Sequence, residues 1–119
     1  VSSPKARARQ TAEIIAEEVG YLREEIKITE TLVPTALPKD TISYLNDLAD
    51  VERIMLAGHL PLLGHLASEL LVNSPQISFY FEPGAVCYIN TEQPHTFSGD
   101  FRWFLTPEHL RIIAQASNT

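Results

Sequence analysis

The run Arg53-Ile54-Met55-Leu56-Ala57, followed at once by Gly58-His59-Leu60-Pro61, constrains the fold more than any other stretch of the chain. A short, nearly continuous apolar segment reads as a strand buried on both faces, the habit of parallel sheets covered by helices. Gly58-His59 ends that strand. Pro61 stands where a helix can begin, because the N–H that proline lacks is not needed in a first turn. Leu62, Leu63, Leu66, Ala67, Leu70 and Leu71 then recur at helical spacing and predict a helix over about 61–72.

The start of the chain repeats the design. Val1-Ser2-Ser3-Pro4 reads as the end of a strand running into a helix over 4–19, with Ser3 as N-cap, Pro4 at the first helical position and Gly20 as the stop. Ala8, Ala12, Ile15 and Val19 supply its apolar face. Between the two passages, Ile26 and Ile28 alternate with Lys27 and Thr29 in a short strand, and 31–39, with Pro34 and Pro38, reads as a loop. Ile42, Leu45, Leu48 and Ala49 predict a second helix over about 39–50. Residues 85–91 and 101–105 are strand-like around the turn-rich EQPHTFSGD, a hairpin pattern, and Thr106-Pro107 opens a last helix to about 116. The expected architecture is α/β, with three α/β/α layers, a mostly parallel central sheet and an antiparallel hairpin near the end of the chain.

A length of 119 residues, 45% of them hydrophobic, fits one globular domain. The lone Cys87 forms no internal disulfide, and a reducing, cytoplasmic setting is the expectation. No apolar run approaches the roughly 20 residues of a membrane span, and VSSPKARARQ lacks the apolar stretch of a signal peptide. Nine basic residues against 15 acidic ones, a net charge of −6, argue against nucleic-acid and membrane partners. Any anion site is therefore local.

SSPKAR and AGHLP are where such a site would form. In open α/β sheets these turns gather at the carboxyl ends of the strands, where unpaired backbone N–H groups and helix dipoles favour a phosphate. Arg7, inside the first helix, leans back over its N-terminus and suits a bidentate phosphate contact, with a surface charge as the plain alternative. Lys5 and Arg9, each turned roughly 200° from Arg7 on a helix, read as solvated surface charges. His59, at the end of a strand, suits a phosphoryl contact or proton transfer, or else only caps the next helix. His65, His95 and His109 read as structural or exposed. With no Cys or acidic partner at ligand spacing, neither a metal nor another cofactor is expected. Glu17-Glu18 and Glu24-Glu25 are adjacent pairs that cannot share a helix face, and read as solvated charge. Phe79, Tyr80, Phe81, Trp103 and Phe104 read as strand or core aromatics.

Ser3-Pro4-Lys5-Ala6-Arg7-Ala8-Arg9-Gln10-Thr11-Ala12 resembles the SP-x-x-RA-x-QTA motif of the histidine phosphatase superfamily, and Gly58-His59-Leu60-Pro61 resembles its GH-x-P motif. Gly84-Ala85 and the ending Trp103–Leu110 are similar to the phosphohistidine phosphatases of the SixA-type branch, so the resemblance covers nearly the whole chain. It implies a phosphoglycerate mutase-like fold and a four-residue phosphate pocket in which Arg7 binds phosphate and His59 is the second histidine. The site expected from the sequence is thus Arg7 and His59 as catalytic and substrate-binding residues, with Ser3 as a further substrate-binding residue. The family's nucleophile is the histidine of an RHG motif, which this chain lacks. The sequence therefore reads as a single histidine-phosphatase domain, N-terminally incomplete, without its first strand, nucleophile loop and first helix, and inactive as it stands.

For the complete protein the resemblance implies phosphoryl transfer from a phosphorylated protein, such as a histidine phosphotransfer domain, to the nucleophile, followed by hydrolysis. Positive charge would come from arginine, an imidazolium and helix N-termini rather than a metal. Glu30 and Asp40 are the acidic candidates in the short connection between the motifs. A small-molecule phosphomonoesterase and a non-catalytic phosphate-binding module are the rival readings; the oligomeric state is open. Intact-mass measurement of the natural gene product is expected to exceed the 13.3 kDa of these residues by several kDa. Peptide sequencing of the excess should find Arg-His-Gly, and a mass of 13.3 kDa would make the protein a phosphate-binding fragment.

Overall fold

The computed structural model describes residues 1–48, 50–73, 77–96 and 98–117. Four α-helices and one antiparallel hairpin make up its regular elements: α1 (Ala6–Val19), α2 (Pro38–Asn46), α3 (Leu62–Val72), β1 (Val86–Asn90), β2 (Asp100–Leu105) and α4 (Pro107–Ser117). The class is α/β. Among the described residues no helix is long and apolar enough to cross a membrane.

The opening residues are central to the architecture. Ser2 forms parallel bridges to Ile28 on one side and Ala57 on the other. Its N–H donates to the Lys27 carbonyl at 2.8 Å and its carbonyl accepts from Thr29 N–H at 2.9 Å. On the opposite edge, Ala57 N–H donates to the Val1 carbonyl at 3.0 Å and Ser3 N–H to the Ala57 carbonyl at 2.9 Å. Three extended segments thus run side by side with Val1–Ser3 in the middle, and Ser2 and Ser3 are fully buried. The expected strand over residues 53–57 is realised only at Ala57. Arg53, Ile54 and Met55 are exposed instead of buried on both faces, although the Met55 carbonyl accepts from the Val1 amino group at 3.0 Å.

α1 begins two residues later than the sequence pattern suggested. Pro4 is non-helical and Lys5, not Ser3, is the N-cap. Ser3 is held in the extended segment, and its hydroxyl accepts the Lys5 N–H at 3.2 Å. At the other end Gly20, at φ 76°, takes the left-handed conformation that glycine adopts without a Cβ penalty, and Tyr21 N–H closes on the Ala16 carbonyl at 2.8 Å. Ala8 and Ala16 are the helix's buried residues, so its backbone packs closely, whereas Val19 points to solvent at 71% exposure.

Ile42 of α2 packs with Leu66 and Leu70 of α3, and Leu56 and Ile89 close over this core. α2 stops at Asn46, short of the expected 50, and Ala49 lies outside the described residues. Buried Thr41 donates its hydroxyl to the Thr31 carbonyl at 2.8 Å, tying α2 to the connection before it.

β1 and β2 pair from Val86↔Leu105 to Asn90↔Asp100, with a bulge after Tyr88. Tyr88 and Trp103 meet edge to face at 5.5 Å, and Phe81 and Phe104 pack with tilted rings at 5.1 Å. The turn between the strands contains a 3-10 segment, Pro94–Thr96, and Phe97 lies outside the described residues. α4 starts with a reciprocal cap in which His109 N–H donates to Thr106 Oγ1 and Thr106 N–H to His109 Nδ1, each at 3.2 Å.

The core triad carries a stability prediction. Leu66→Ala removes a side chain only 3% exposed and should lower the unfolding free energy of the protein by about 2–5 kcal/mol, read from urea denaturation, whereas Leu66→Met should cost less than about 1.5 kcal/mol.

Candidate functional site

His59 owes its place to the pairing of Ala57 with Val1–Ser3. Two residues past that bridge the chain turns, and His59 arrives beside Ser3, its Nε2 3.0 Å from Ser3 Oγ. Gly58 permits the turn: a Cβ there would come within 3.1 Å of the Leu32 carbonyl oxygen and 3.3 Å of the Leu63 side chain. Leu32 is itself fully buried, so the carbonyl has little room to retreat. After His59 the Leu60–Pro61 peptide is cis, and α3 begins at Leu62 with Pro61 as its N-cap. A cleft of about 240 Å³ opens along this stretch, lined by Leu60, Pro61, Gly64, His65, Ile77, Ser78 and Phe79.

The two motif segments therefore meet in space through Ser3 and His59. Ser3, expected as a substrate-binding residue, is fully buried, and its hydroxyl is engaged by His59 and by the Lys5 N–H. Arg7 is the second residue of α1 and is exposed. Among the described residues its guanidinium makes no hydrogen bond or ion pair, which leaves its donors available to a ligand. The structure brings Ser3 and His59 into contact and leaves Arg7 on the neighbouring helix turn.

Lys5 is the residue that sequence spacing misplaced. Because it precedes the helix, the argument that turned it away from Arg7 does not hold, and its positive charge acts on His59. Burial, first, and Lys5, second, hold the His59 pKa below the ordinary imidazole range. Both causes favour the uncharged form of the ring. The unfolded chain binds this proton more readily than the folded one, so His59 disfavours the fold as pH falls into and below the ordinary imidazole range. A signal for Lys5 existed in the sequence, since it lies between Ser3 and Arg7, but it needed the true helix start to be read.

Other candidates lie apart. Glu30 and Asp40 are both exposed, and neither has an interaction with Ser3, Arg7 or His59 among the described residues. His65 is exposed, His95 Nδ1 lies 3.2 Å from Asn46 Oδ1, and His109 caps α4. Cys87 sits half-buried in β1, where burial raises its thiol pKa.

Comparison with known proteins agrees with this geometry. No family model matches the chain. The phosphohistidine phosphatase SixA homolog of Haemophilus influenzae is 32% identical over 81 residues, covering 66% of this chain and 49% of the relative, so the chain spans about half the length of the curated relative it matches. The solved structure of the protein histidine phosphatase SixA complexed with tungstate superposes with a TM-score of 0.72 at 29% identity, covering 91% of this chain and 67% of that one. The fold, and the meeting of the two motif segments, are what this chain has in common with the histidine phosphatases. In sequence and in fold the chain is similar to the SixA-type branch of the histidine phosphatases.

The charge acting on His59 is testable by NMR titration of the histidine ring. His59 should titrate below the ordinary range, and Lys5→Ala should move its midpoint upward by removing a like charge; an unchanged midpoint would place Lys5 away from the ring.

Proposed function

We propose that this chain is part of a phosphohistidine phosphatase that hydrolyses phosphohistidine on a signalling or phosphorelay protein. The observation that carries the reading is the 3.0 Å contact between Ser3 Oγ and His59 Nε2, which joins the SP-x-x-R and GH-x-P segments. The tungstate held by the matched SixA structure supports a site for a tetrahedral oxyanion. We extend the reading to the fold: the two parallel bridges of Ser2 belong to a mostly parallel central sheet in a single three-layer, phosphoglycerate mutase-like domain, completed by sequence that precedes Val1.

In this mechanism the substrate's P–N bond breaks as a new P–N bond forms to a nucleophilic histidine in that preceding sequence. Water then attacks phosphorus, the second P–N bond breaks, and inorganic phosphate leaves. Arg7 supplies paired N–H donors and full positive charge to the equatorial phosphoryl oxygens, and the neutral His59 ring supplies one N–H. Lys5 adds positive charge close to His59. An imidazole is an easier leaving group than an alkoxide, so exposed Glu30 and Asp40 are assigned no acid role. The cleft along Leu60, Pro61 and Phe79 begins at the residue after His59 in the chain and is open, which suits a substrate borne on a protein surface.

The complete protein should release phosphate from a phosphohistidine protein, and Arg7→Ala and His59→Ala should each lower turnover by about 10²–10³-fold with circular dichroism unchanged. Wild-type-like turnover in either variant overturns the assignment. Efficient turnover of sugar or nucleotide phosphates with none on phosphohistidine would instead identify a small-molecule phosphomonoesterase.

A further inference from the structure

We propose that Ser3 is a positioning residue that sets the tautomer of His59: its hydroxyl donates to Nε2, leaving the ring proton on Nδ1 as the donor His59 can present to an oxyanion. The inference rests on the phosphate-site reading for its use, but its geometry stands apart from it. Ser3 is fully buried, and among the described residues its Oγ has two partners, the Lys5 N–H at 3.2 Å and His59 Nε2 at 3.0 Å. A backbone N–H can only donate, so Lys5 uses a lone pair of Oγ. The hydroxyl hydrogen then has one acceptor within reach, which is Nε2. Were Nε2 protonated instead, it would occupy the second lone pair and leave the serine O–H buried with no acceptor.

The electrostatics point the same way. Burial and the charge of Lys5 both oppose protonation of the ring, so a neutral imidazole, with one nitrogen free to accept, is the form this environment selects. The arrangement also couples the two motifs. The carboxyl end of the Val1–Ser3 segment carries the hydroxyl, the first N–H before α1 orients it, and the segment ending in Ala57 delivers the ring. A serine one residue out of register could not serve: Ser2, also buried, turns its hydroxyl to the Ser3 carbonyl at 2.8 Å.

The test is long-range 1H–15N correlation spectroscopy of the full-length protein with 15N-labelled histidine at neutral pH. Wild type should show His59 with Nδ1 protonated and Nε2 unprotonated. Ser3→Ala should shift the ring toward the Nε2–H tautomer that free imidazole side chains favour, Ser3→Thr should restore the wild-type pattern, and turnover of Ser3→Ala should fall about tenfold or more in kcat with KM changed less. An Nε2–H or doubly protonated ring in wild type overturns the proposal without any variant having to fold, as does an unchanged tautomer in Ser3→Ala. The two readings separate cleanly. A protein with no phosphatase activity but an Nδ1–H ring defeats the proposed function and keeps this inference, and an active enzyme with an Nε2–H ring does the reverse.

Discussion

The backbone of Val1–Ser3, hydrogen-bonded on both edges, is the constraint from which the rest of this structure follows. Parallel pairing with Ile28 on one side and Ala57 on the other satisfies the peptide groups of a segment that is fully buried at Ser2 and Ser3, where water cannot substitute. It also fixes the direction in which the chain leaves, toward α1, and the point at which the segment ending in Ala57 turns toward α3. Two helices therefore begin on the same side of these segments, and the side chains at their entrances share one space.

The positive charge of Lys5 acts in that space, in a chain whose net charge is −6. Lys5, Arg7 and the N-terminus of α1 concentrate positive potential at a few positions, while the acidic residues are spread elsewhere. Screening at physiological ionic strength limits exposed charges to about 8 Å, so an anion responds to the local cluster rather than to the overall charge. Burial first, and Lys5 second, lower the His59 pKa and so favour its uncharged ring.

Much of the fold was legible because periodicity and punctuation agree. Leu62 through Val72 alternates buried and half-buried leucines at helical spacing, Gly20 ends α1 as its conformational freedom allows, and Thr106 caps α4. The misreadings have particular causes. Ser3 has an N-cap's composition, yet its hydroxyl is spent on Lys5 N–H and His59 while its backbone stays in the extended segment, so α1 starts at Ala6. The apolar residues of 53–57 predicted two-sided burial, but strand pairing decides burial, and Ala57 is the residue of this stretch that is bridged and buried. Of the aromatics expected in strands or core, Trp103 and Phe104 lie in β2, whereas Tyr80 is 75% exposed and outside both strands; the hairpin register sets Trp103 against Tyr88.

By itself the sequence determined the order of helices and strands, the two motifs and the identity of Arg7 and His59 as site candidates, because hydrophobic period, turn chemistry and motif spacing are local properties of a chain. Tertiary structure alone decided that Ser3 faces His59, that Lys5 lies outside α1 and acts on that ring, and that burial lowers the ring's pKa. Those facts rest on atoms 56 residues apart meeting at 3.0 Å, a distance set by strand register and burial, which no local pattern encodes.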